Sequence, residues 1–123
     1  GGILVENNIF LYAGREPKRE EWHHQTEKAV YRNNLYCNYQ NVPREDDQAV
    51  TADSASEVIA KPGRGPVCAG GETNNRQEET TVFDGYRLCA DSPARGKGKA
   101  IENNGGKDFF GMPLDGKSDL GAC

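Results

Sequence analysis

The sequence predicts an all-β chain: coils of a right-handed parallel β-helix, a solenoid, closed by a C-terminal capping segment. Three observations predict it. A strand–corner–strand unit occurs twice at a fixed offset, the composition is polar yet rich in corner residues, and the last third consists of glycine-bounded aromatic and apolar turns.

The repeat carries most weight. Residues 3–12, Ile-Leu-Val-Glu-Asn-Asn-Ile-Phe-Leu-Tyr, lie over residues 29–38, Ala-Val-Tyr-Arg-Asn-Asn-Leu-Tyr-Cys-Asn, at an offset of 26 residues. That offset falls within the periods that mark stacked repeats. Each copy reads as a short strand, a polar corner and a second short apolar strand. Asn tolerates the left-handed backbone that a sharp corner needs. Its amide both donates and accepts, so Asn7 over Asn33 and Asn8 over Asn34 are expected to stack as a hydrogen-bonded ladder. Ile9 and Leu35 then stack in the interior.

Composition agrees. Only 35% of residues are hydrophobic, 28% are charged and mean hydropathy is −0.83, which approaches disorder unless neighbouring repeats share their apolar surface. Fifteen basic against 19 acidic residues give a net charge of −4 with no basic stripe, which argues against a nucleic-acid partner. No apolar run approaches the ~20 residues of a membrane-spanning helix, so no membrane partner is expected. The start at Gly1-Gly2, without Met, suggests a processed or excised form.

The elements follow in order. Residues 1–60 are read as two repeat coils, with a loop projecting at 15–28. Residues 61–80 form an irregular insertion, and 81–123 the final coil and cap. The loop carries Arg19, Glu21, Trp22, His23 and His24. A Trp can stack on a sugar ring while carboxylates and imidazoles bind hydroxyls, so these five residues are the candidate ligand contacts. Glu45-Asp46-Asp47 could offer hard oxygen ligands to calcium, although no glycine-bearing calcium loop surrounds them and a solvated turn is the simpler reading. No dedicated metal site or other cofactor is expected, and no nucleophile elbow or phosphate loop appears.

Cys37, Cys68, Cys89 and Cys123 are too far apart in sequence for a C-x-x-C motif. Their even number in a polar, glycine-rich chain favours two disulfides and an oxidising, extracellular compartment, with three pairings open. Each bridge would contribute roughly 3–4 kcal/mol.

The last third reads Asp91-Ser92-Pro93-Ala94, a glycine-rich corner, then Asp108-Phe109-Phe110-Gly111-Met112-Pro113 and Asp119-Leu120-Gly121-Ala122. This order resembles the C-terminal end of secreted right-handed parallel β-helix repeat proteins, the pectate-lyase-like superfamily. The resemblance implies that Phe109, Phe110 and Leu120 plug the open end of the core, as a solenoid's terminal unit must. The sequence departs from the pattern after Ala52-Asp53, where a proline usually follows. It departs again at Cys37, Cys89 and Cys123, where tyrosine or polar residues are usual.

The resemblance further implies an extracellular, secreted carbohydrate-active protein that binds or degrades polysaccharide. In such a protein this portion has a capping rather than a catalytic role. Any polysaccharide lyase or glycoside hydrolase chemistry would then lie mostly outside this chain. Two alternatives are a structural subunit stacking head-to-tail into an extracellular fibre and a small carbohydrate-binding module using Trp22. The bare first coil is expected to be covered by upstream coils or by other copies of the chain.

Overall fold

A computed structural model describes residues 2–23, 28–64, 83–114 and 118–121. Five short strands, β1 (Ile3–Glu6), β2 (Ile9–Leu11), β3 (Ala29–Arg32), β4 (Leu35–Cys37) and β5 (Val50–Ala52), are followed by a one-turn helix α1 (Ala55–Val58) and a 3-10 turn (Asp84–Tyr86). β1 pairs with β3 in one parallel sheet, and β2, β4 and β5 form a second in that order.

The 26-residue offset appears directly in the pairing: Ile3 lies opposite Ala29 and Ile9 opposite Leu35. Between β1 and β2, and again between β3 and β4, the chain turns at Asn7 and Asn33, with φ of 62° and 56°. Asn33 Nδ2 donates to Asn7 Oδ1 at 2.7 Å, and Asn34 Oδ1 accepts the Asn8 backbone N–H at 2.9 Å. A second corner repeats the device. Asn38, at φ 65°, donates through Nδ2 to the carbonyls of Tyr12 and Gly14.

The solenoid itself is not formed, and this corrects the expected right-handed parallel β-helix. The described residues form a small mixed domain with two small parallel sheets and one α-helix. The reason lies in the spacing. β5 reaches its place beside β4 with Val50 opposite Leu35, only 15 positions later, and among the described residues no third strand extends the β1–β3 sheet. The chain then forms α1, and Ile59 meets Leu88 in an antiparallel bridge. Most of the expected insertion at 61–80 lies outside the described residues.

Alternation along β4 divides the molecule. Leu35 and Cys37 face one way into a core shared with Val58, Ile59, Leu88, Ala94 and Leu120, with Ile9, Leu11 and Val50 packed against it. Tyr36 faces the other way and is itself buried. Leu120 is held there by its N–H, which donates to the Ala94 carbonyl, and Gly121 N–H donates to the Asn7 carbonyl. Phe109 does not share Leu120's place. It is 55% exposed and meets Phe83 and Phe110 edge-on, so it does not plug the core. Phe110 is half-buried under the Arg87 guanidinium, 3.7 Å from its ring centre.

The expected disulfides are likewise corrected for two of the four cysteines. Cys37 and Cys89 are free thiols. Cys37 serves as a small apolar side chain in the core, and Cys89 Sγ is directed at the Ser56 carbonyl 3.2 Å away. Cys68 and Cys123 lie outside the described residues.

Candidate functional site

The outward face of β2 and β4 presents Phe10 and Tyr36, 26 positions apart, with rings stacked 5.4 Å apart at 14°. The described part of the loop expected to project at 15–28, residues 15–23, instead folds back over this face. Lys18 forms a parallel bridge with Tyr39, Gln40 N–H donates to the Lys18 carbonyl at 2.8 Å, and the Asn41 side chain binds both the N–H and the carbonyl of Glu20. An apolar face of this kind must be covered, and Trp22 covers it.

The Trp22 ring stands edge-on to Phe10 (5.2 Å), Tyr36 (5.0 Å) and Tyr31 (5.6 Å), and tilted against Tyr39 at 5.0 Å. Edge-to-face geometry of this kind adds about 0.5–1.5 kcal/mol per pair beyond area burial. Its indole N–H donates to the Asn41 carbonyl at 3.1 Å, and its own carbonyl accepts from Tyr31 Oη at 2.9 Å. The ring proposed as a sugar platform is thus committed to internal packing.

His23 is committed as well. Its Nε2 sits 2.9 Å from Glu45 Oε1, its ring meets Tyr31 edge-on at 5.4 Å, and Nδ1 is buried without a hydrogen-bond partner among the described residues. Burial pushes the Glu45 carboxyl up, but backbone N–H groups, including that of Tyr31, and His23 outweigh it and hold the group below its ordinary value. Arg19 and Glu21 lie exposed on the same loop, and His24 lies outside the described residues.

The acidic turn does something the sequence reading missed. Asp46 is buried, and Oδ2 accepts hydrogen bonds from Tyr36 Oη (2.6 Å), Asn34 N–H (3.1 Å) and Asn34 Nδ2 (3.1 Å), while Oδ1 accepts from Asn33 N–H at 2.8 Å. A carboxylate so placed satisfies the corner's orphan donors. Burial first, and then the bond to Asp46, drive the Tyr36 hydroxyl far above its ordinary pKa, so it remains a donor. Among the described residues no group of three or more His, Cys, Asp or Glu is placed to hold a metal ion, and no helix is long and apolar enough to cross a membrane.

Over 131 aligned positions, covering 97% of this chain, the sequence is 40% identical to a lacto-N-biosidase from Bifidobacterium longum subsp. longum. The chain resembles part of a lacto-N-biosidase. It spans only 8% of that protein's length. No family model matches the sequence, so the pectate-lyase-like resemblance gains no support. Because the match to the lacto-N-biosidase takes in nearly the whole chain, the aromatic face, the asparagine corners and most of the surrounding structure fall within it.

Proposed function

We propose that this chain is a structural rather than catalytic portion of an extracellular carbohydrate-active protein. The carbohydrate link comes from the similarity to a lacto-N-biosidase, a glycosidase by name. The structural role is supported by one observation above all. Trp22, the side chain best suited to a sugar, has its ring among four aromatic rings and its N–H on the Asn41 carbonyl.

The test is to assay the chain for hydrolysis of an oligosaccharide panel that includes substrates of the lacto-N-biosidase it resembles, and to unfold Trp22→Ala in urea. The expected result is no turnover and a loss of stability on the order of 3 kcal/mol, since the substitution empties the space between the loop and the sheet. Turnover that disappears in Glu45→Gln would overturn the reading.

A second feature bears on partners. Among the described residues β1 and β2 are each paired on one side only, and Ile3 and Leu4 are 55% and 52% exposed. An unpaired apolar strand edge is a site for strand addition. It suits either another segment of a longer protein or a second copy of this chain. Light scattering separates the two: mass that rises with concentration identifies a second copy, and a constant monomer mass leaves the edge to a segment of the same protein.

A further inference from the structure

Away from the aromatic face, a groove of about 440 Å³ runs between the segment at 99–104 and the turn at 107–114. Both walls are tied down by backbone contacts. Lys99 N–H donates to Asn7 Oδ1 and Asn7 Nδ2 donates back to the Lys99 carbonyl, each at 2.9 Å, while Asn33 Nδ2 holds the Lys97 carbonyl at 2.9 Å. The asparagine corner therefore positions one wall. Opposite, Lys107 and Pro113 form an antiparallel bridge, Asp108 N–H donates to the Met112 carbonyl, Asp108 Oδ1 accepts Met112 N–H, and Leu114 N–H donates to the Gly106 carbonyl.

The groove's lining combines apolar groups, donors and two carboxylates. Phe109, Ile101 and Leu114 supply apolar surface, the first two 55% and 53% exposed. Lys99, Lys107 and Asn104 supply donors. Lys107 makes no ion pair with any described residue. Lys99 Nζ lies 3.7 Å from Glu6 Oε2, an oxygen that Arg32 Nε already holds at 2.6 Å. Asn104 Oδ1 accepts Gly106 N–H at 2.9 Å, which leaves its Nδ2 as the donor of that side chain. Asp108 and Asp119 line the groove as well: Asp108 Oδ1 accepts Met112 N–H, and Asp119 accepts Gly96 N–H and lies 4.0 Å from the Arg95 guanidinium, which offsets its charge.

We infer that this groove binds an anionic sugar, a pyranose bearing a carboxylate or sulfate. The ring's apolar face lies on Phe109 and the charged substituent lies between Lys99 and Lys107. The inference rests on the carbohydrate reading above and adds to it a place and a charge class.

Affinity electrophoresis of the chain through gels containing polygalacturonate, a sulfated galactan or a neutral galactan tests it. Phe109→Ala and Lys107→Met serve as variants, and circular dichroism and unfolding midpoints establish that both retain the fold. The expected result is retardation by at least one charged polymer, weakened about tenfold or more in each variant and diminished by salt. Retardation by polygalacturonate alone assigns the carboxylate, and by sulfated galactan alone the sulfate.

Equal retardation by the neutral galactan overturns the charge class and leaves the carbohydrate reading standing. Retardation by charged polymers that neither variant alters places binding elsewhere and overturns the groove, as does no retardation at all. The hydrolysis assay decides the structural role independently of every one of these outcomes.

Discussion

Tyr36 and Asp46, ten residues apart, are joined by a 2.6 Å hydrogen bond from Oη to Oδ2 inside the molecule. The bond ties β4 to the turn before β5, and through Asn34 it ties both to the asparagine corner. Bonds to a charged acceptor are worth more than neutral ones, about 1.5–3 kcal/mol. Tyr36→Phe is expected to destabilise the chain by that amount in urea unfolding. Asp46→Ala is expected to cost more, because it strands the backbone N–H groups of Asn33 and Asn34 as well.

The corners are expected to separate backbone from side-chain effects. Asn33 has φ 56° and donates from Nδ2 to both Asn7 Oδ1 and the Lys97 carbonyl. Asn33→Gly keeps the left-handed turn and removes the ladder together with the bond to the Lys97 carbonyl. Asn33→Ala removes the same two bonds and adds the left-handed penalty of about 1–2 kcal/mol. A lower midpoint for the Ala variant than for the Gly variant, both below the parent, is the expected order.

Acid is expected to loosen the Trp22 loop. Glu45 titrates in the folded chain below its ordinary value of 4.5, so its contribution is present in full above that pH and is lost as pH falls through the lower, folded value. Glu45→Gln is expected to flatten the acid limb of the stability profile. Emission from Trp22, the chain's single tryptophan, reports the same change, shifting to the red as the loop leaves Phe10 and Tyr36.

The described thiols are expected to differ in reactivity. Burial first, and then Glu57 and Asp53, push the Cys37 thiol up, so little thiolate exists near neutral pH and reagent cannot reach it. Cys89 is partly exposed. Brief alkylation of the native chain followed by peptide mass spectrometry is expected to label Cys89 well before Cys37, and denaturant is expected to abolish the difference. A non-reduced peptide linking Cys37 to Cys89 would contradict the structure.

What the sequence determined by itself was local. The offset between Asn7 and Asn33 was legible because one corner solution occurs twice, and stacked corners require the same residue in the same left-handed conformation. The alternation of Leu35, Tyr36 and Cys37 was legible too, because side chains alternate along any strand. Tertiary structure alone decided where the chain went next. The early arrival of β5 beside β4 ended the repeat at two copies, since pairing depends on how the 12 intervening residues pack rather than on their pattern. It also decided that Trp22 turns inward: a loop of charged residues reads as exposed, and only the apolar face of Phe10 and Tyr36, brought together from positions 26 apart, supplies the reason to fold back. Asp46 was hidden for a related cause. An acidic turn looks solvated in sequence, and the backbone N–H groups of Asn33 and Asn34 that draw its carboxylate inside become its neighbours only when the corner has formed.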